Sequence, residues 1–268
     1  MSAPNEEDLI HTFNGIAFTT RSSPELLSSL ATFDARDDDV LLVSYPKSVA
    51  LTSPIEFGDL SRLEQLDHLS CKRIIPTHLD ANMLPPTFKL KQCKAIYILR
   101  NPKDIAVSMY HYYKENPNLP TIETWSEFLE MFLKGDVVCG SWFDHILSWE
   151  EYTTDKNTLF LFYEDMKKDL PKVVKQVSSF LGVNTSESGI NEICAKCSFS
   201  EMKTNTEKEN YDPNQTVCAL TSNRRLIFRK GAVGDWKNYF TSKQDRVFEE
   251  TFAKKMKCSK VAKHLVYE

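Results

Sequence analysis

Ala95-Ile96-Tyr97-Ile98-Leu99-Arg100 leads directly into Asn101-Pro102-Lys103-Asp104, and this junction decides the fold. The first six residues are a short apolar run ending in a cation, the pattern of a buried strand. Asn101 is a residue type that caps helices. Pro102 suits the first helical position, where an amide would have no partner. A helix over 102–113 follows, with Ile105, Met109 and Tyr112 on its buried stripe and Asn101, Asp104, Ser108 and His111 on another.

The same alternation extends outward in both directions. Val40 to Tyr45, Arg73 to Thr77 and Thr158 to Glu164 also read as buried strands. Trp125, Phe128, Leu129, Phe132 and Leu133 share one helical face that Gly135 ends. Asp169 caps a helix carrying Leu170, Val173, Val177, Phe180 and Leu181, with Gly182 after it. Thr241 and Gln244 form a capping box before Val247, Phe248 and Phe252. Strands alternating with helices predict a single α/β domain over 1–268, with a mostly parallel sheet flanked by helices. Lys203 to Arg225 is polar and aperiodic and is expected to be a flexible loop.

The composition agrees with a folded enzyme-sized domain. The 268 residues are 41% hydrophobic and 26% charged, with a net charge of −4, which argues against disorder and against general nucleic-acid binding. No run is long and apolar enough for a transmembrane helix. Glu6, Glu7 and Asp8 give the N-terminus the wrong polarity for a targeting peptide, and seven scattered cysteines suit a reducing compartment. A cytoplasmic protein without membrane or nucleic-acid partners is expected.

In an open parallel sheet, ligands bind beyond the carboxyl ends of the strands. Lys47 and Ser48 follow the first of these strands, His78 the second, Arg100 the third, and Tyr163 and Glu164 end the fourth. That edge suits a polyanion and a proton acceptor. Ser108 can join Arg100 at a helix N-terminus, although spacing alone leaves a solvated surface pair equally open. Arg229-Lys230-Gly231 is a second basic cluster, which alone is a weak signal. Cys194 and Cys197 have metal-ligand spacing but no second pair, so no metal is expected. His111 and His145 lie among aromatics and read as packing residues.

Together these segments resemble the cytosolic sulfotransferases, with detail most like the 6B branch. Tyr45-Pro46-Lys47-Ser48 resembles the start of their phosphosulfate loop, and Thr77-His78-Leu79 the segment of their catalytic histidine. Arg100 to Asp104 with Ser108 resembles their 3′-phosphate site. Phe162 to Met166, Ser198-Phe199 with Met202, and Phe228 to Gly231 with Gly234-Asp235-Trp236 complete the order. The resemblance implies a fold related to P-loop kinases. It implies sulfuryl transfer from 3′-phosphoadenosine 5′-phosphosulfate to a hydroxyl or amine of a small acceptor such as a phenol, iodothyronine, steroid or alcohol, without a metal. It makes His78 the general base and Lys47 the cation at the leaving oxygen, with Ser48 on the 5′ side. Arg100, Ser108, Arg229, Lys230 and Gly231 would hold the 3′-phosphate. Tyr163, Cys197, Ser198, Phe199 and Met202 would line the nucleotide pocket, and Phe57, Tyr112 and Trp142 the acceptor pocket.

One departure is large. The family continues after Pro-Lys-Ser with Gly-Thr, a variable residue, Trp and a helix, whereas Val49-Ala50-Leu51-Thr52-Ser53-Pro54 comes after Ser48 here. Ser53, Pro54 and Glu56 look like the start of a later helix, as do Ser61 and Glu64. An internal deletion at the 48/49 junction, on the order of one crossover of a dozen or more residues, is expected. Weak or absent turnover is the consequence, because each lost charge-assisted hydrogen bond costs roughly 1.5–3 kcal/mol. A non-catalytic binding isoform and an unstable truncated variant are the alternatives. Smaller departures are Pro76 in place of a Lys and Cys197 in place of a Thr. The family's dimerisation pattern is degenerate, with Lys237 and Thr241 kept but Ser242 and Arg246 replacing Val and Glu, so a homodimer is possible but weakly specified.

Overall fold

The computed structural model describes residues 9–48, 53–208 and 227–265. A hairpin opens it, β1 (Ile10–Phe13) paired antiparallel with β2 (Ile16–Thr19). Asn14 and Gly15 turn between them, both with positive φ (49° and 80°), the conformation that a tight hairpin asks of Asn-Gly. This hairpin is not among the strands that the apolar runs predict. Helix α1 (Pro24–Ser29) comes next, capped by the Ser23 hydroxyl.

The sheet comprises β3 (Val40–Ser44), β4 (Ile74–Thr77), β5 (Lys94–Leu99) and β6 (Thr158–Phe162), in spatial order β4-β3-β5-β6, all pairs parallel. Helices α2 (Ser61–His68) and α3 (Pro86–Leu90) lie in the β3–β4 and β4–β5 connections. Helices α4 (Pro102–Glu115), α5 (Trp125–Lys134) and α6 (Trp142–Ser148) lie between β5 and β6. After β6 come α7 (Tyr163–Lys168), α8 (Leu170–Leu181), α9 (Glu187–Lys196), α10 (Phe199–Lys208) and α11 (Ser242–Lys255). The α/β architecture read from the strand–helix alternation is the one observed.

Both faces of the sheet are covered. Ala95, Tyr97 and Leu99 of β5 face the main core with Leu41 and Val43, while Ile96 and Ile98 face a second core with Val40, Leu161 and Val173 of α8. This period-2 alternation between two buried layers is why the strands read as unbroken apolar runs. Pro76 is accommodated because β4 is an edge strand of this sheet.

The predicted caps at Asn101, Asp169 and Thr241 with Gln244 are present, and Gly135 and Gly182 end their helices in the left-handed conformation. Three expectations need correction. Tyr163 and Glu164 open α7 rather than close β6, because the ladder with β5 ends at Phe162. Residues 203–208 continue α10, seeded by the Ser198 hydroxyl accepting from the Glu201 amide, while 209–225 lie outside the described residues. Pro54 to Phe57 is a turn, not a helix start, and α2 is opened by Asp59 accepting from the Ser61 amide rather than by a Ser61 cap.

The N-terminal ends of β3 and β4 are tied by a buried ion pair. Arg73 donates from Nε to Asp39 Oδ1 (2.7 Å) and from Nη2 to Oδ2 (2.5 Å), both side chains fully buried. Asp39→Ala leaves a buried guanidinium without this partner. A stability loss of about 3–5 kcal/mol is expected, read as a lower urea midpoint at unchanged m-value.

Candidate active site

Parallel register brings the carboxyl ends of the four strands to one edge. Val43 pairs with Thr77, Ser44 with Ile98, and Leu99 with Phe162. Lys47, His78, Arg100 and Tyr163 therefore emerge side by side and line one cleft, together with Ser48, Ser108, Phe199, Met202, Arg229, Lys230 and Gly231.

His78 is held by its ring and by its backbone. Its Nδ1 lies 2.6 Å from the Ser44 carbonyl oxygen, which can only accept, so Nδ1 carries the proton and Nε2 keeps its lone pair. Burial lowers the imidazole to about 4, with Lys47 adding to the shift against the Ser44 hydrogen bond. His78 is thus neutral at pH 7. Its amide donates to Glu56 Oε1 (2.8 Å), and the Thr77 hydroxyl donates to Glu56 Oε2 (3.0 Å). Glu56 is fully buried. It was read from sequence as a capping acid; instead it fastens the end of β4, a contact across 22 residues that no local pattern reveals.

Burial pushes the Glu56 carboxyl up to about 7, against the hydrogen bonds from His78 and Thr77. The folded state therefore keeps a proton that the unfolded chain releases near pH 4–5. Stability from this group is present below that range and is lost as pH rises through about 7. Glu56→Gln is expected to flatten this decline, checked by urea denaturation at pH 5, 6 and 7.5.

Lys47 lies beyond the β3 end in a left-handed conformation, φ 69°. Its carbonyl accepts from Arg100 Nη1 (2.9 Å), and its ammonium lies 4.4 Å from the Tyr112 ring centroid. Burial lowers the ammonium to about 7, helped by the charges of Arg100 and Arg229. Arg100 also donates to the Ala232 carbonyl (3.3 Å) and stacks on Tyr163 at 4.5 Å.

The segment 229–236 is fastened to α4. Asp104 accepts from the amides of Gly234 (2.7 Å) and Trp236 (3.0 Å), and the Asn101 amide donates to Glu164 (2.9 Å). Asp235 pairs with Arg229 (2.6 Å) and Lys230 (2.5 Å). It is held well below the usual carboxylate range although burial opposes this, because Lys230, Arg229 and Asn238 all donate to it. Gly231 has φ 64°, and a Cβ there would lie 2.3 Å from the Phe199 ring, so no larger residue fits.

Ser48 Oγ, Arg100 Nε and Arg229 Nε are buried and have no hydrogen-bond partner among the described residues. With Lys47 they form a cationic cradle with unspent donors, which fits a phosphorylated nucleotide. Cys197 and Ser198 stand outside the cleft wall, at the C-terminal end of α9 and before α10. Phe57 and Tyr112 line the cleft; Trp142 does not, being 1% exposed within the main core. His145 is buried, with Nδ1 2.7 Å from the Tyr97 hydroxyl, and His111 Nε2 is 2.8 Å from that of Tyr239.

A sulfotransferase domain model matches residues 50–260 of the chain. The chain belongs to the sulfotransferase family. It is 34% identical to sulfotransferase 6B1 of Danio rerio over 287 positions, covering 98% of the chain and 94% of that protein. It is 36% identical to rat sulfotransferase 1C2, covering 85% of the chain and 86% of the relative. The crystal structure of mouse sulfotransferase SULT7A1 complexed with PAP superimposes with a TM-score of 0.89 at 58% identity, covering 95% of this chain and 96% of that one. The sulfotransferase domain match begins beyond Lys47 and Ser48, so those two positions rest on geometry rather than on that match.

Proposed function

We propose that this sulfotransferase uses 3′-phosphoadenosine 5′-phosphosulfate as donor and a hydroxyl of a small molecule as acceptor, with turnover weakened by its short phosphate loop. The observation that carries this reading is a neutral His78, its Nδ1 proton committed to Ser44, in one cleft with Lys47, Arg100, Arg229 and Lys230. Support for the donor also comes from the PAP held by the mouse relative.

When bound, the donor supplies a sulfuryl group whose bond to the 5′-phosphate oxygen breaks as a bond to the acceptor oxygen forms. His78 Nε2 takes the acceptor's proton. Lys47 faces the oxygen that keeps the electron pair. Ser48 contacts the 5′ side; Arg100, Ser108, Arg229, Lys230 and Gly231 hold the 3′-phosphate; Tyr163, Phe199 and Met202 enclose the nucleotide.

Two observations support impairment. Among the described residues, the next helix after Ser48 begins at Ser61, and the sequence after Ser48 carries neither the glycine nor the tryptophan of the family pattern. The alignment with the Danio rerio protein spans 287 positions against 268 residues in this chain, so that relative carries residues this chain lacks. Nucleotide binding without turnover is the second reading, because Arg100, Arg229 and Lys230 share one cleft while the sequence after Ser48 lacks the family's glycine and tryptophan.

Calorimetric titration with adenosine 3′,5′-bisphosphate (PAP) tests the donor site. A polyanion beside Lys47 raises its ammonium from about 7, so binding at pH 7.5 is expected to take up roughly half to three-quarters of a proton. Phosphate ionisation has the opposite sign. Buffers of different ionisation enthalpy report the uptake, and Lys47→Met should remove it; binding without uptake would remove Lys47 from the phosphate site. A labelled-donor assay then separates slow transfer from none.

A further inference from the structure

One wall of the cleft carries polar groups that the donor reading leaves unused. Arg21 and Ser22 come after β2 and line the cleft with Phe18, Phe57 and Val138. Ser22 is 0% exposed, yet its Oγ has no hydrogen-bond partner among the described residues. Its backbone is bridged to Gly58. Phe57, one residue earlier, places its ring 6.2 Å from that of His78. The pair therefore stands on the acceptor side of the histidine.

Arg21 is half-buried and forms no ion pair among the described residues. It is close enough to oppose the rise that burial imposes on the Tyr112 phenol. Among the described residues, no Asp or Glu lines the cleft. A half-buried guanidinium and a buried hydroxyl without a partner are each costly unless something pairs with them. A carboxylate satisfies both, since it accepts from a guanidinium fork and from a hydroxyl together. An ammonium would find only repulsion here.

We propose that the acceptor is an apolar hydroxylated molecule bearing a carboxylate, which Arg21 and Ser22 receive while its hydroxyl meets His78. Phe18, Phe57 and Val138 supply the apolar wall between the two ends. This deepens the sulfuryl-transfer reading by naming its acceptor class, and it disfavours amine acceptors.

Equilibrium binding tests the proposal independently of turnover. The probes are 3-(4-hydroxyphenyl)propanoate, its methyl ester and tyramine, titrated calorimetrically into the full chain with and without saturating PAP. The acid is expected to bind at least about tenfold more tightly than the ester, a difference of about 1.4 kcal/mol, with tyramine weakest. Arg21→Gln should bring the acid-to-ester ratio close to one, and Ser22→Ala should lower it part-way. Equal binding of acid and ester, a ratio that survives Arg21→Gln, or binding of none of the three probes overturns the proposal. The heat of PAP binding in the same experiment reports separately on the donor reading, so a protein that binds the acid but not PAP would sink that reading alone.

Discussion

Inserting a Gly-Thr turn and a crossover helix between Ser48 and Val49 should raise kcat/KM for the labelled donor by at least about 100-fold. The beginning of the loop is already built. The Ser48 amide donates to the Tyr45 carbonyl (3.2 Å), Lys47 turns its ammonium over Tyr112, and the Ser48 hydroxyl is buried without a partner among the described residues. The stretch from Val49 to Pro54 contains no glycine for close amide approach. Two or three charge-assisted bonds from such amides are worth about 1.5–3 kcal/mol each. At about 1.4 kcal/mol per factor of ten, even the weakest pair gives two orders of magnitude. An insertion of equal length made only of Gly and Ser serves as control, because it adds the same length without providing a helix N-terminus. The natural-type insertion should exceed that control. A gain below about threefold for both would show that the short loop does not limit this enzyme.

Legible and concealed features of the sequence divide along a physical line. The four parallel strands were legible because burial on both faces makes them continuous apolar runs, as at Ala95 to Leu99. The helix ends at Asn101, Asp169, Gly135 and Gly182 were legible because caps are local chemistry. The β1–β2 hairpin was not read because His11, Thr12 and Asn14 interrupt its apolar residues; the Asn14-Gly15 pair was the signal available. The last turns of α10, 203–208, read as loop because the stretch that starts at Lys203 is polar and carries little apolar periodicity. Glu56 was assigned a capping role because Ser53-Pro54 precedes it at the usual spacing, whereas its partners, Thr77 and His78, are brought to it only by the fold. That Arg21 has no ion pair and the Ser22 hydroxyl no hydrogen-bond partner among the described residues is likewise a property of three-dimensional neighbours. Arg229, Lys230 and Gly231 are only a weak basic cluster locally, since nothing local predicts that Asp104 fastens their segment beside Arg100.

Arg100→Ala should weaken PAP binding by roughly 100- to 1,000-fold, the largest effect expected of a single substitution in the proposed 3′-phosphate site. Arg100 joins three segments that are distant in sequence. Its guanidinium donates to the Lys47 carbonyl at 2.9 Å and to the Ala232 carbonyl at 3.3 Å, and it lies on Tyr163 at 4.5 Å. Truncation removes a charge-assisted partner of the phosphate, worth about 1.5–3 kcal/mol. It also unties the Lys47 turn from the 229–236 segment, so the remaining cations are less well placed. Arg100→Lys restores the charge but not the planar fork, and one ammonium cannot reproduce both carbonyl contacts and the stack on Tyr163. It should recover only a minor part of the affinity. Adenosine 5′-monophosphate, which lacks the 3′-phosphate, makes the assignment specific. Wild-type protein should bind it far more weakly than PAP, and Arg100→Ala should weaken PAP by a clearly larger factor than it weakens this analogue, the signature of a shared partner in a thermodynamic cycle. If Arg100→Ala weakened both nucleotides by the same factor, the arginine would be acting on the Lys47 turn alone, and the 3′-phosphate would have to rest on Ser108, Arg229 and Lys230.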